Sequence, residues 1–259
     1  MATPVKSSLP LNTLLVFIPG FLTVLIGVLF GFVPLEAFVL ILLVVIVTFL
    51  SSLYLRKPLE KLLSLNHVAI KASHILYGLF ILLLGTLYGR YTILTSTLAC
   101  LISYGLYECL RWSRHEDVPY ITEALRLLGS PEDLDGRPFL SPAYAALGIL
   151  LSTAFFTSQT ANVAISVLVL GDGFAALVGR SIGGIHLPIN GRKTVVGSLT
   201  GFFMSFTGCR LFVPVELAFV GSFAGMLIEA LPIPLNDNLT IPIFSAICMT
   251  FAYEITGIL

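Results

Sequence analysis

The chain is predicted to be an all-α integral membrane protein, a bundle of about nine transmembrane helices with its N-terminus in the cytoplasm. Three observations lead there. Of its 259 residues, 57% are hydrophobic and 11% are charged, whereas soluble domains carry roughly a quarter charged residues. Apolar runs near the ~20 residues needed to cross a bilayer core recur from end to end. Once those runs are threaded back and forth, the basic residues fall almost wholly on one side.

The runs place spans at residues 11–33, 35–55, 73–88, 92–110, 140–157, 161–180, 195–212, 215–231 and 239–258. The first is too long for a signal-peptide core and lacks a small-residue cleavage site. With the N-terminus inside, Lys6, Arg56, Lys57, Lys61, Lys71, Arg111, Arg114, Arg126, Arg137, Arg180, Arg192 and Lys193 lie on the cytoplasmic side. Arg90 and Arg210 lie outside. Two long cytoplasmic connections follow, 56–72 and 111–139. In the second, Ile121, Leu125 and Leu128 recur at helical spacing and predict a short surface helix over 119–128. Residues 1–56 read as a two-helix scaffold, and 57–259 as the catalytic domain with a cytoplasmic loop at 181–198.

Net charge is zero, with 14 basic and 14 acidic residues, so nothing points to nucleic acid. Cys100, Cys109, Cys209 and Cys248 show no CxxC spacing and read as packed thiols.

The acids carry the chemistry. Glu36, Glu216 and Glu254 sit toward outer ends, where a carboxylate is solvated or snorkels. Glu108, Asp172, Glu229 and Asp237 fall in or at the cytoplasmic halves of four different spans. Asp172 precedes the end of its helix by about eight residues, roughly 12 Å at 1.5 Å per residue. A carboxylate at that depth is costly and needs partners. Those partners are either basic side chains, such as Lys71 or Arg111, or Mg²⁺, which takes one or two carboxylates plus phosphate oxygens and water. His74, three residues after Lys71, shares its helix face.

After Asp172 come Gly179-Arg180, Gly183-Gly184, Asn190-Gly191-Arg192-Lys193-Thr194 and Gly197-Ser198. Glycines let backbone N–H groups converge on an anion, the basic residues add charge, and a helix begins at the same place. This pattern suits a nucleotide phosphate. Asn236-Asp237-Asn238 reads as a helix start, with Asp237 or Asn238 as its cap.

The run Gly171-Asp172-Gly173, with Ala175, Gly179 and Arg180, resembles the polyprenol kinase family. Leu187-Pro188, Asn190, Arg192-Lys193-Thr194 and Gly197-Ser198 continue that resemblance. The family includes phytol, farnesol and dolichol kinases and a yeast-type diacylglycerol kinase. Lys71 with His74, Glu108 with Arg111, Glu229, and Asp237-Asn238 through Pro242 extend the likeness over about residues 71 to 243.

The resemblance implies a membrane kinase, often CTP-dependent, that phosphorylates the hydroxyl of a long-chain isoprenoid alcohol drawn from the bilayer. Asp172, Lys71 and His74 would then be catalytic. Asp172, Glu108 and Glu229 would hold Mg²⁺. Gly171, Gly173, Gly179, Arg180, Asn190, Arg192, Lys193, Thr194, Gly197 and Ser198 would meet the nucleotide, with Arg111, Asp237 and Asn238 nearby. Ala176 stands where the phytol-type pattern has a second acid, and Val196 where the dolichol-type loop has Glu.

Two rival readings remain. CTP-dependent cytidylyltransferases that make CDP-lipids carry a Lys-Asp step and a His/Asp-rich terminal signature, and this sequence has neither. Transporters place polar residues near the midplane between paired broken helices, whereas here they gather on one leaflet. The expected setting is the plasma membrane of a prokaryote, or the endoplasmic reticulum of a eukaryote, with the site facing the cytoplasm.

Overall fold

Backbone N–H and C=O groups find no water in a bilayer core, so an apolar run has to satisfy them within itself, as a helix. The computed structural model describes residues 11–54, 67–114 and 140–257. The expected surface helix at 119–128 and the boundary at residue 56 lie outside the described residues.

Helices α1 (Leu11–Leu29), α2 (Leu35–Tyr54), α3 (His67–Tyr88), α4 (Arg90–Arg114) and α5 (Leu140–Phe155) come first. Next is one continuous helical rod over Ser158–Ile182. It comprises α6 (Ser158–Ser166), a π-helical turn (Val167–Asp172) and α7 (Gly173–Ile182). A small hairpin follows, β1 (His186–Leu187) with β2 (Asn190–Thr194), then α8 (Val195–Cys209), α9 (Val215–Ala230) and α10 (Asp237–Thr256). Among the described residues these make nine helical rods.

Three of them, Arg90–Leu110, Ser158–Ile182 and Asp237–Thr256, are long and apolar enough to cross a membrane. An all-α membrane protein is therefore borne out, with the antiparallel hairpin as a departure. Its strands pair His186 with Thr194 and Leu187 with Asn190, across a two-residue turn of Pro188 and Ile189. The 181–198 segment was expected as a glycine-rich loop because two strands this short leave almost no period-2 signal.

The Ser158–Ile182 rod is the axis of the bundle. Val163, Ile165 and Val167 are fully buried in it, and Leu84, Ile93, Leu217, Ile241 and Met249 pack around them from α3, α4, α9 and α10. Outward residues such as Phe203, Phe223 and Phe251 are exposed, as a lipid-facing surface requires. Inside, small residues bring backbones close: Ala218, Gly221, Ser222, Ala224 and Gly225 are buried on α9. The outlying pair α1–α2 joins through α1 on α4, in a smaller cluster of Val24, Val33, Ala37 and Ala99.

The rods run alternately up and down. At one end, Lys71 meets Asp172 and Asn238 meets Ser141. At the other, Arg90 donates to the carbonyl of Thr153 at 2.5 Å.

Candidate active site

Asp172 closes the π-helical turn. Such turns are rare, cost stability relative to α-helix, and recur at functional sites. Here the turn coincides with valines and Gly171, weak helix formers, and it re-aims the carboxylate against the stripe of the rod. Gly171 and Gly173 pack closely. A Cβ on Gly171 would stand 2.8 Å from Met226 Sδ, and one on Gly173 2.5 Å from Ile75 Cγ1.

Across from Asp172, the first turns of α3 present Lys71. Its Nζ lies 3.1 Å from Asp172 Oδ2, both side chains being largely buried. His74 and Lys193 are the other charges that act most strongly on Asp172. Glu108 is half-buried on α4. The side chain of Arg111 lies outside the described residues.

The hairpin supplies the second cation. The rod ends through Gly183 and Gly184, whose φ angles of 68° and 107° are open to glycine at little cost. The chain turns back along β2, and Lys193 Nζ reaches Glu229 Oε1 at 2.5 Å and Asp237 Oδ2 at 2.8 Å. Burial opposes the charge on Lys193, but Glu229, Asp172 and Asp237 outweigh it and push the ammonium above the ordinary lysine range. Glu229 is 1% exposed, and its Oε2 is buried with no hydrogen-bond partner among the described residues. Five residues from five separate segments thus form one charged cluster: Lys71, Asp172, Lys193, Glu229 and Asp237.

Other expected nucleotide contacts prove to have structural work. Thr194 caps α8 by accepting from the Gly197 N–H at 3.2 Å. That N–H is therefore occupied. A Cβ on Gly197 would lie 2.7 Å from the Ala175 carbonyl, and one on Gly179 2.8 Å from Thr194 Oγ1. These two glycines let α7 and α8 touch. Asn190 accepts the Arg192 N–H at 3.2 Å and so shapes the hairpin turn.

Arg180 and Arg192 are exposed, and Ser198 Oγ is buried without a partner. The α10 cap is Asn236, not Asp237 or Asn238: its Oδ1 accepts from the Asn238 N–H at 3.0 Å. Asn238 instead donates through Nδ2 to Ser141 Oγ at 2.7 Å. In an Asn-Asp-Asn run all three residues have capping propensity, and only the backbone dihedrals select among them.

Mg²⁺ takes one or two carboxylates and fills the rest of its octahedron with water and phosphate oxygens. The unpartnered Oε2 of buried Glu229 beside Asp237 fits that demand. Among the described residues, no three His, Cys, Asp or Glu side chains cluster into a cage made by protein alone.

The chain is 30% identical over 177 residues to a probable chloroplastic phytol kinase 1 of Oryza sativa subsp. japonica, covering 61% of this chain and 52% of that protein. It is 36% identical over 135 residues to a probable phytol kinase 2 of the same plant, covering 45% and 43%. A CTP-dependent diacylglycerol kinase 1 of Eremothecium gossypii is 29% identical over 130 residues, covering 40% and 41%. The chain spans about half the length of these relatives. They are plant and fungal proteins and lend no support to a prokaryotic setting. No family model and no solved structure matches the chain. An acid at membrane depth and basic partners drawn to it from distant segments accord with these likenesses: the chain is similar to phytol kinases and to a CTP-dependent diacylglycerol kinase over about half of their length.

Proposed function

We propose that the protein transfers a phosphoryl group, from CTP, to the hydroxyl of a membrane-embedded isoprenoid alcohol of the phytol, geranylgeraniol or dolichol type. The observation that carries this is the cluster of Lys71, Asp172, Lys193, Glu229 and Asp237 at one end of an apolar bundle. Phosphoryl transfer asks a protein for positioning and charge neutralisation more than for covalent chemistry, and that cluster has the parts.

The alcohol enters from the bilayer with its hydroxyl beside Asp172. Lys71 keeps Asp172 ionised and oriented, His74 adds positive charge, and Asp172 accepts the hydroxyl proton. The alcohol oxygen bonds to the γ-phosphorus while the bond to the β-phosphate oxygen breaks, and CDP leaves. Arg180, Arg192 and Lys193 neutralise the phosphates, and Ser198 Oγ offers a hydroxyl to them. Glu229, through its unpartnered Oε2, would hold Mg²⁺, which would supply charge neutralisation to the phosphates. The basic residues that share this end of the bundle support a cytoplasmic site, with residues 1–56 as scaffold.

The fungal relative favours one second acceptor, diacylglycerol. Purified protein in detergent, given Mg²⁺ and γ-labelled CTP, ATP, GTP or UTP, tests both. The acceptors are phytol, geranylgeraniol, dolichol and diacylglycerol. Label is expected in an isoprenoid alcohol with CTP, and absent in Asp172→Asn. Label in no lipid under any pairing overturns the kinase reading; a cytidylylated lipid with pyrophosphate release replaces it.

A further inference from the structure

Lys193 bridges three segments. It leaves the hairpin to reach the last turn of α9 at Glu229 and the first turn of α10 at Asp237. Two carboxylates share one ammonium, which leaves the group with one uncompensated negative charge. Glu229 Oε2 is buried and has no hydrogen-bond partner among the described residues. A buried carboxylate oxygen left without a partner is costly, so its retention points to a ligand that arrives from outside the chain.

The chemistry of that ligand is constrained. Two carboxylate groups with an unused buried oxygen suit a hard divalent cation that completes its shell with water or phosphate oxygens. A lysine is well placed to give way to it. The ammonium is a compact point charge on a flexible four-carbon stem. Its strand is entered through two glycines at positive φ and hydrogen-bonded only to a two-residue partner strand.

We propose that Glu229 and Asp237 form a divalent-cation site whose place Lys193 keeps in the ligand-free protein, and that a cation arriving with nucleotide phosphate releases Lys193 onto that phosphate. The second half rests on the kinase reading; the first half rests on the geometry alone. Charge balances throughout. A cation neutralises both carboxylates, and the freed ammonium pairs with a phosphate oxygen, so no buried carboxylate is stranded. Phosphate alone cannot draw Lys193 away without stranding two acids. Cation alone binds weakly, because Lys193 competes for the same oxygens.

Mn²⁺ binding, followed by electron paramagnetic resonance on the full chain in detergent without nucleotide, tests the first half. Lys193→Met is expected to bind Mn²⁺ at least tenfold more tightly than wild type. Lys193→Arg is expected to stay at the wild-type level, and Glu229→Gln in the Lys193→Met background to abolish the gain. Mn²⁺ affinity of Lys193→Met equal to or below wild type overturns the proposal, as does a gain that survives Glu229→Gln. Lys193→Gln serves as a second neutral variant if Lys193→Met does not fold.

A non-hydrolysable CTP analogue tests the second half. It is expected to tighten Mn²⁺ binding to wild type at least tenfold. No tightening, with the Lys193→Met gain intact, overturns the release of Lys193 to phosphate. The Mn²⁺ readout without nucleotide does not depend on turnover, so failure of the kinase reading leaves it interpretable.

Discussion

Lys71 and Asp172 stand 101 positions apart in the chain and 3.1 Å apart in the fold. The lysine rises from the first turns of α3, and the aspartate closes the π-helical turn of the central rod. Each compensates the other in a largely dehydrated place.

Removing one partner therefore costs more than removing both. Breaking a buried ion pair costs about 3 kcal/mol, because it strands a charge. Lys71→Met is expected to lower stability by about that amount in a thermal melt in detergent, and Lys71→Met with Asp172→Leu to recover most of it. Equal and additive losses would show that the two groups do not act as a pair.

Asp172→Asn keeps shape and removes charge. Turnover of the folded protein is expected to fall by about 10³-fold, within the range that a positioned acid-base group contributes. The melting temperature is expected to fall no further than in Lys71→Met, which strands the opposite charge of the same pair. A loss of turnover that merely follows loss of folded protein would deny Asp172 a chemical role.

The glycines between α7 and α8 are expected to matter through packing. A Cβ on Gly201 would lie 2.6 Å from the Gly171 carbonyl and 2.9 Å from Ala175 Cβ. Overpacking of this kind costs about 2 kcal/mol. Gly201→Val and Gly197→Ala should lower the melting temperature, while the folded fraction keeps its KM for nucleotide. A raised KM with unchanged stability would return Gly197 to the nucleotide site.

Arg192 predicts the opposite pattern. It is exposed on the hairpin, so Arg192→Ala should shift stability by no more than about 0.5 kcal/mol. Loss of one phosphate contact should raise the KM for nucleotide about tenfold, equivalent to about 1.4 kcal/mol. An unchanged KM removes Arg192 from the phosphate-binding set.

The ammonium of Lys193 is raised above its ordinary value by its acidic neighbours, against the opposing pull of burial. A raised folded-state value means that its contribution is fully present below the unfolded lysine value of about 10.4, and is lost as pH rises through the folded one. The difference in melting temperature between wild type and Lys193→Met should therefore stay constant from about pH 7 to pH 10. A difference that shrinks below about pH 9 would show that the clamp on Lys193 is weaker than the geometry implies.

The helices, the depth of Asp172 and the gathering of polar residues at one end were legible in the chain itself. Lipid forces each apolar run to close its own hydrogen bonds, so a run near 20 residues can hardly be anything but a helix. An acid inside such a run is conspicuous because it is expensive. The rest was decided by tertiary structure. Which lysine serves which acid depends on how each helix is rotated about its axis. That rotation is set by contacts such as Gly197 on Gly179 and Gly171 on Gly201, across different helices. The π-helical turn, the hairpin that carries Lys193 to Glu229 and Asp237 and the choice of Asn236 as cap all follow from that packing. A local pattern of residue types does not encode it.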